Sequence, residues 1–308
     1  MKHFFITGGL GFIGTNLIPS LKQAFDCRIT ILDNRTNPSG DLELSKGIEL
    51  IEGDIQNKDL LEEVISGHDA VIHLAADTRV IDSIDHPENN FHVNVGGTLN
   101  ILECMRIHGI KTLINASTGG AIIGEVPPPV HEGLLPNPSS PYGASKMAVE
   151  GYCSAYFQSY GIKTISLRFS NIYGRYSINK LSVVAAFLKD IKEKQRIQVY
   201  GDGSQTRDYL FADDLVRGII QAIIQENLCG VFQLGSGEPT SINQLIKIIK
   251  EVVPIEFETD FHDFRKGEVL HTYCDITKAK EAFQFNPTTT ILKGIEDTWE
   301  WLCSGDHG

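Results

Sequence analysis

The sequence predicts an α/β protein built on a doubly wound parallel sheet, with a smaller, interleaved C-terminal domain. Apolar strand segments alternate with helical patterns over about the first 171 residues, which is typical of a parallel sheet with helices on both faces. A glycine-rich turn joins the first strand to the first helix, and a carboxylate follows the second strand. The 308 residues, 42% of them hydrophobic, are enough for one large domain or two.

The glycine-rich turn reads TGGLGFIG at residues 7–14, between a strand at residues 4–6 and a helix at residues 13–25. Its glycines permit a tight turn, and they let phosphate oxygens approach the N–H groups of the helix N-terminus. The residues predicted to bind the pyrophosphate of a dinucleotide are Gly8, Gly11, Phe12, Ile13 and Gly14. Taken by itself, the glycine pattern also fits a purely structural turn.

The second strand, residues 27–32, ends at Asp33. A carboxylate at this point accepts hydrogen bonds from the ribose hydroxyls of adenosine and repels a 2′-phosphate, which favours NAD as the cofactor. Asn34 follows it in the predicted site. Arg35 is a residue type that binds phosphate, so NADP remains the alternative.

The third strand, residues 48–51, leads to Asp54 and Ile55. An acidic residue followed by an apolar one can hydrogen-bond the adenine amino edge and cover the ring. Capping of the helix predicted at residues 59–66 explains the same pair equally well.

The fourth strand, residues 70–74, is closed by Ala75 and Ala76. Small residues at this end of a strand fit a crevice where a ligand lies against the backbone, so both are candidate cofactor contacts. Leu74, the last residue of the strand, is a third candidate. His73, inside the strand, is predicted to be a packed core residue rather than a catalytic group.

The remaining pattern divides the chain into two domains. The predicted helices lie at residues 87–108, 142–160, 181–193, 213–225, 241–253 and 291–301, and the strands at residues 112–116, 163–167, 197–200 and 231–234. Residues 1–171 are predicted to form a Rossmann-type NAD-binding domain, to which residues 208–236 return. Residues 172–308 are predicted to form mainly a substrate-binding domain.

Tyr142 and Lys146 are the candidate catalytic pair, because residues four apart at the start of a helix share one face. A tyrosine with a pKa of about 10 is a poor base at neutral pH. A lysine ammonium and a nicotinamide cation both favour the phenolate, and a pKa of about 7 is the expectation for the pair. Ser117 and Thr118 stand upstream at a strand end, where a hydroxyl can reach the same site.

The composition narrows the classes of partner. A net charge of −12 argues against nucleic acid and anionic membrane surfaces as partners. The six cysteines are scattered, without a C-x-x-C pair, which indicates thiols of a reducing compartment and no metal site. The first strand begins almost at once and no apolar run reaches membrane length, so the cytoplasm is the expected location.

The sequence resembles the extended short-chain dehydrogenase/reductase family over nearly its whole length, and in particular NAD-dependent nucleotide-sugar epimerases of the UDP-glucose 4-epimerase type. The matching motifs are TGGLGFIG, HLAA (residues 73–76), NVGGTLNILE (94–103), PYGASK (141–146), LRFSNIYG (167–174), YGDGSQTRDYLFADD (200–214) and RKGE (265–268). Their order along the chain is specific for the family and less so for the substrate.

The resemblance assigns roles to individual residues. It implies that Tyr142 is the base, that Lys146 modulates it, and that Thr118 orders the reacting sugar oxygen. One extra residue after this strand leaves Ser117 as a second candidate. Further implied cofactor contacts are Asn94 and Ser170, and the implied substrate contacts are Thr118, Asn171, Arg207, Arg265, Glu268 and Thr272.

The activity that the resemblance implies is epimerisation of a nucleotide-activated hexose at C4, through a 4-keto sugar. UDP-glucose and UDP-galactose, or their N-acetyl forms, are the expected substrates. A 4-ketoreductase, a 4,6-dehydratase or decarboxylase, and a non-catalytic NAD-bound sensor are the alternatives.

The family also implies a homodimer formed by two helices of each protomer. The apolar residues expected on these helices at the interface are Val95, Leu99, Leu102, Val149, Tyr152 and Tyr156.

Overall fold

The computed structural model describes residues 1–40, 46–180, 182–264 and 270–305. Its strands are β1 (Lys2–Thr7), β2 (Cys27–Asp33), β3 (Ile48–Glu52), β4 (Ala70–His73), β5 (Thr112–Thr118), β6 (Lys163–Phe169), β7 (Asn171–Tyr173), β8 (Arg196–Tyr200), β9 (Thr206–Arg207), β10 (Tyr209–Phe211), β11 (Gly230–Leu234), β12 (Thr240–Ser241) and β13 (Glu258–His262).

The helices flank and extend this set of strands. They are α1 (Phe12–Ala24), α2 (Lys58–Val64), α3 (Val80–Asp85), α4 (Pro87–Phe91), α5 (Gly97–His108), α6 (Gly119–Ile123), α7 (Pro141–Tyr160), α8 (Val183–Lys194), α9 (Ala212–Ile224), α10 (Ile242–Val252), α11 (Thr277–Phe283) and α12 (Ile291–Ser304). Among the described residues, no helix has the length and apolar character needed to cross a bilayer.

The main sheet has seven parallel strands in the order β11-β6-β5-β4-β1-β2-β3. The chain starts in the middle, moves outward to β3, and then returns to build the other half from β4. Such a reversal of strand order opens a crevice between the two central strands, at their carboxyl ends. The predicted doubly wound sheet is therefore confirmed, and the candidate site falls at the β1–β4 reversal. The late strand β11 adds to its edge beside β6.

Side chains of the main sheet alternate between two hydrophobic layers, as strand geometry requires. Phe4 and Ile6 pack with α1 and α9, whereas Phe5, between them, packs with α2, α5 and α7. A separate cluster, formed by α8, α10 and α12 around β8 and β10, supports the second half of the chain.

The predicted helix at residues 87–108 is interrupted by a π-helical turn, His92–Gly96, between α4 and α5. The sequence did not reveal α3, α6 or β13. Each is a short element of five or six residues that carries too few turns or alternations to show a clear period.

Four of the apolar residues assigned to a dimer face lie in the core instead. Val95, Leu102, Val149 and Tyr156 are buried in the layer that packs on the sheet, and Leu99 packs partly against it. These residues form the apolar stripe of their helices, and that stripe packs against the sheet. Tyr152, by contrast, is 41% exposed.

Candidate active site

The glycine turn is shaped by two glycines that the fold itself requires. Gly8 has a φ of +70°, and a Cβ there would lie 2.6 Å from the backbone nitrogen of Ala75. A Cβ on Gly14 would lie 2.4 Å from the carbonyl oxygen of Gly9. Both positions therefore need glycine so that the turn packs on itself and on the end of β4.

Gly11 is different, because its φ of −73° suits any residue and a Cβ would meet only the Gly8 carbonyl oxygen at 3.3 Å. It is the N-cap of α1 and supplies no side-chain cap. The first N–H groups of α1, from Phe12 to Gly14, therefore receive no hydrogen bond from the side chain of the N-cap residue. An anion such as a pyrophosphate suits this helix end.

Asp33 holds the end of β2 against the glycine turn. Its buried carboxylate accepts hydrogen bonds from the backbone N–H groups of Leu10 (3.0 Å) and Arg35 (2.8 Å). The guanidinium of Arg35 lies 3.2 Å from the Glu52 carboxylate. Because the Glu52 carboxylate already pairs with the Arg35 guanidinium, this arginine is less suited to bind the 2′-phosphate of NADP. The arrangement favours NAD.

Asp54 and Asn34 meet beside Asp33, where the Asn34 amide donates to the Asp54 carboxylate at 2.8 Å. Asp54 does not cap α2, since Asn57 performs that role by accepting from the N–H of Leu60. Ile55 is buried, and a Cβ on Gly97 would lie 2.5 Å from its side chain, so it packs closely against α5.

The segment after β4 is held by Asn94, which the π turn directs inward. The Asn94 side chain accepts from the N–H of Asp77 (2.8 Å) and donates to the Asp77 carbonyl (2.9 Å) and to Ser145 of α7 (3.0 Å). These bonds fix the path of Leu74, Ala75 and the following residues relative to α7. Asn94 thus supports the crevice through other residues, and its amide is engaged by protein groups.

His73 is fully enclosed between Thr7 of β1 and Thr98 of α5, with ring nitrogens 2.7 and 2.9 Å from their hydroxyl groups. Burial, and secondarily the charge of Lys146, lowers its pKa to about 3. The predicted role of a packed core histidine agrees with this environment.

The end of β5 interacts with α7 at three consecutive positions, and the α7 partners are one helical turn apart. The pairs are Ala116 with Lys146, Ser117 with Glu150, and Thr118 with Tyr142. The carbonyl oxygen of Ala116 accepts from the Lys146 amino group at 3.0 Å. Strand and helix together therefore bring the predicted catalytic residues to one place.

Tyr142 is buried, and burial raises the pKa of its phenol to about 12, although the hydrogen bond with Thr118 acts in the opposite direction. The nearby carboxylate of Asp77 raises the pKa further. The pKa near 7 was expected with a nicotinamide cation beside the pair. The side chains of the protein by themselves do not lower the pKa to that value, because the cost of burying the phenolate exceeds the stabilisation that they provide.

Lys146 is also buried, and burial lowers its pKa to about 8, while the charge of Glu150 opposes that change. At neutral pH the amino group therefore remains mostly protonated. It lies in the same helix turn as Tyr142, as the spacing predicted.

The structure separates the two hydroxyl candidates. Thr118 reaches Tyr142, whereas Ser117 donates to the Glu150 carboxylate at 2.6 Å. Because side chains alternate along a strand, neighbouring residues cannot serve the same face. The assignment of Ser117 as a second catalytic hydroxyl is accordingly not supported, since its hydroxyl is directed to a different partner.

Ser170 follows β6, and its buried hydroxyl has no hydrogen-bond partner among the described residues. A buried polar group normally has one, so a bound group that supplies it fits this position. The exposed Asn171 donates to the carbonyl of Asp208 at 3.3 Å.

Arg207 and Thr272 lie together, because the N–H of Thr272 donates to the carbonyl of Thr206 at 3.2 Å. Arg207 donates to the carbonyl oxygens of Thr206 and Leu270. The Thr272 hydroxyl would be 4.0 Å from a Cβ on Gly120, which follows Thr118 closely. The other two predicted substrate contacts, Arg265 and Glu268, lie outside the described residues.

The sequence did not reveal the residues that position the candidate catalytic residues through hydrogen bonds or charge. They are Asp77, Ser83, Ser145, Glu150 and Arg168. The hydroxyl of Ser83 accepts from the N–H of Tyr142 at 3.1 Å and so fixes the start of α7. The spacing of Tyr142, Lys146 and Glu150 could have revealed Glu150, since all three lie on one face of α7.

The described residues contain no cluster of three or more His, Cys, Asp or Glu side chains suited to a metal ion. The β1–β4 crevice holds a helix end without a side-chain cap, a buried carboxylate at the end of β2 and a buried tyrosine–lysine pair. These residues fit a dinucleotide that lies across the carboxyl ends of the strands.

Comparison with known proteins agrees with this geometry. The sequence profile of the NAD dependent epimerase/dehydratase family matches residues 4–235. A putative UDP-glucose 4-epimerase of Methanocaldococcus jannaschii is 36% identical over 307 residues, which cover 98% of this chain and 99% of that protein.

Two solved structures are similar over almost the whole chain. UDP-glucose 4-epimerase of Thermotoga maritima, with UDP-glucose, has a TM-score of 0.92 and 32% identity, and 98% of this chain and 99% of that chain are covered. UDP-N-acetylglucosamine 4-epimerase of Methanobrevibacter ruminantium, in complex with UDP-N-acetylmuramic acid, has a TM-score of 0.92 and 28% identity, with 98% of each chain covered.

Proposed function

The chain belongs to the NAD dependent epimerase/dehydratase family, and from this membership we propose that it epimerises a nucleotide-activated hexose at C4 with NAD as its cofactor. The observation that carries the proposal is the buried contact between Tyr142 and Thr118, one helical turn from Lys146. This arrangement lies at the carboxyl edge of the sheet, where the family binds its cofactor.

The cofactor would lie along the crevice between β1 and β4. Gly11 and the first turn of α1 would hold the pyrophosphate, and Asp33 the adenosine ribose. Ser170, whose hydroxyl has no hydrogen-bond partner in the described part of the chain, would contact the nicotinamide end. When bound, NAD supplies a hydride acceptor and donor at the sugar carbon.

The protein residues would manage the proton of the sugar 4-hydroxyl. Tyr142 would take that proton, directly or through Thr118, and return it after the sugar has turned over. Lys146 would stabilise the phenolate by its charge, and the cationic nicotinamide would add to that stabilisation. The buried position excludes water from the proton transfer and strengthens both electrostatic contributions.

The nucleotide would remain anchored while the sugar rotates. Arg207, adjacent to Thr272, is suited to the diphosphate because a guanidinium donates hydrogen bonds in pairs. Asn171 would contact the same part of the substrate from β7. Arg265 and Glu268 keep the roles that the sequence resemblance implies.

The sugar pocket is proposed to accept an N-acetylated hexose. Thr272 and Gly120 approach each other beside Thr118; Thr272 has a small side chain and Gly120 has none. Tyr273, the alternative gate residue, is the next residue along the chain, and its carbonyl is bonded to the N–H of Val130. The similarity to a UDP-N-acetylglucosamine 4-epimerase supports the same substrate class.

Gly119 argues against a dehydratase. Dehydratases of this family need an acidic residue directly after the Ser/Thr, and here Gly119 stands there. A Cβ on Gly119 would lie 2.3 Å from the Gln233 side-chain oxygen, so an acid at this position would require that side chain to move. With glycine at this position, elimination would lack its proton donor.

The decisive experiment is incubation of the purified protein with UDP-, dTDP-, GDP- and CDP-hexoses without added cofactor. We expect inversion at C4, detected by NMR, and NAD released on denaturation. A 4-keto-6-deoxy product would instead indicate a dehydratase, and a requirement for stoichiometric NADPH would indicate a ketoreductase. Bound NAD with no turnover of any sugar would favour the sensor.

We also propose a homodimer, formed through exposed apolar residues of which only Tyr152 is among those expected from the sequence. The helices α3, α4 and α7 pack together, and their exposed large apolar residues are Val80, Ile81, Ile84, Phe91, Met147, Tyr152, Phe157 and Tyr160. Light scattering should give twice the mass of the 34.0 kDa chain. Phe91→Asp should produce monomers, whereas Leu135→Asp, on an exposed loop elsewhere, should not. A monomeric wild type at micromolar concentration would contradict this proposal.

A reducing compartment such as the cytoplasm is the proposed location. All six cysteines are free thiols, and four of them are buried. Unpaired thiols are typical of proteins that work under reducing conditions.

A further inference from the structure

A buried ion pair lies behind the catalytic residues. The Glu150 carboxylate accepts two hydrogen bonds from Arg168, at 2.9 and 2.7 Å, and a third from Ser117 at 2.6 Å. The side chains of Arg168 and Glu150 are only 5% and 9% exposed. All the contacts are therefore made away from bulk water.

The pair joins three elements that carry candidate catalytic or binding residues. Ser117 precedes Thr118 on β5, Glu150 follows Lys146 by one turn of α7, and Arg168 lies near the end of β6. Glu150 is thus held at a fixed position relative to both Lys146 and the end of β5.

The charge of Glu150 acts on Lys146. Burial lowers the pKa of Lys146, and the Glu150 carboxylate opposes that effect. Cys153, also on α7, and His73, on β4, interact electrostatically with Lys146 as well. Burial raises the pKa of the Cys153 thiol to about 12 and lowers that of His73 to about 3, so both are neutral near pH 7. Of these three groups, Glu150 therefore supplies the negative charge that raises the pKa of Lys146.

Stability alone does not account for such a pair. Replacement of a buried ion pair by apolar residues of similar volume is often neutral or stabilising, because desolvation of both charges offsets their attraction. One turn from Lys146, however, the carboxylate has a specific electrostatic effect.

We propose that Glu150 is a positioning residue of the reaction, which keeps Lys146 in its cationic form and fixes the end of β5 so that Thr118 meets Tyr142. Arg168 and Ser117 hold its carboxylate in place. This inference rests on the proposed function, in which the Lys146 cation assists Tyr142.

Glu150→Gln is the test, because it removes the charge and keeps the shape. The alkaline limb of the kcat/KM–pH profile should move to lower pH by about 1 unit, the lower end of the effect of a nearby opposite charge. Competitive acetylation of Lys146 with acetic anhydride, measured by peptide mass spectrometry across pH, should show the same shift in its midpoint. An unchanged midpoint would overturn the proposal.

Two variants separate charge from structure. Ser117→Ala removes one hydrogen bond and no charge, so the Lys146 midpoint should stay where it is in the wild type. The double variant Glu150→Gln/Arg168→Gln leaves no unpaired buried cation and serves where the single variant fails to fold. The double variant should retain the shift of the Lys146 midpoint. A return to the wild-type midpoint would show that the unpaired Arg168 charge, not the loss of Glu150, caused the shift in the single variant.

The acetylation measurement also keeps this inference distinct from the proposed function. If the wild type turned over no nucleotide sugar, the proposed function would fail, while the Lys146 midpoint would still report the effect of Glu150. If turnover were normal and the midpoints were equal, only the role of Glu150 would fail.

Discussion

Thr118 lies beside the phenol of Tyr142 and lowers its pKa, whereas the adjacent Ser117 donates a hydrogen bond to Glu150. Thr118→Val should therefore lower kcat by about 10²–10³, because it removes a group that contacts the general base. Ser117→Ala should have a smaller effect on kcat, because Ser117 contacts Glu150 and not Tyr142. Steady-state kinetics of both variants with the same nucleotide sugar decide the matter, and equal losses would argue against this division of roles.

Tyr142 should remain a phenol near neutral pH when NAD is removed, because burial raises its pKa to about 12. Bound NAD adds a positive charge and should lower that pKa. Tyrosinate absorbance, measured against pH as the difference between wild type and Tyr142→Phe, should show the shift. Tyr142→Phe should also reduce turnover by several orders of magnitude while nucleotide-sugar binding survives. Near-normal turnover would exclude Tyr142 as the base.

Gly11→Ala should weaken NAD retention with a smaller loss of stability than Gly14→Ala. The φ of Gly11 is ordinary, and the closest contact of an added Cβ is the Gly8 carbonyl oxygen at 3.3 Å. Gly14→Ala is the matched control in the same turn. It should destabilise the fold by about 1–3 kcal/mol through its clash with Gly9. The measurements are NAD content after denaturation and urea unfolding of each variant. Full NAD content in Gly11→Ala would contradict the proposed pyrophosphate site.

Thr272→Tyr should lower kcat/KM for UDP-N-acetylgalactosamine by at least about tenfold relative to UDP-galactose, because a bulky gate excludes the acetyl group. Tyr273→Thr tests the neighbouring position. If the pocket faces Thr272, the second variant should leave the preference between the two sugars unchanged. Rejection of UDP-N-acetylgalactosamine by the wild type would contradict the proposal that the pocket accepts an N-acetylated hexose.

His73 should make the protein less stable in acid. Its pKa is lowered from 6.5 to about 3, so between these values the unfolded chain binds a proton that the native protein does not. The stability contributed by neutral His73 is complete above pH 6.5 and is lost as pH falls toward 3. From pH 7 to pH 5 the loss is about 2 kcal/mol. Urea unfolding of the wild type and His73→Gln should show their difference shrinking by that amount, and a constant difference would refute this account.

The sequence by itself determined the sheet, the cofactor crevice and the Tyr142–Lys146 pair. Each depends on local rules: strand and helix periods, a turn that only glycine can adopt, and a four-residue spacing that places two side chains on one helix face. Asp33 followed from the same order of elements. Short elements such as α3 and α6 could not be predicted, because they contain too few residues to show a helical period of hydrophobic residues.

Only the tertiary structure decided which hydroxyl meets Tyr142, where the apolar faces of α5 and α7 point, and how the buried charges are paired. Thr118 and Ser117 are equivalent in sequence, and the orientation of β5 relative to α7 distinguishes them. The pKa of Tyr142 likewise depends on burial, which arises when distant segments pack together. Arg168 and Glu150 meet for the same reason, since contacts between a strand and a helix depend on packing that no local spacing specifies.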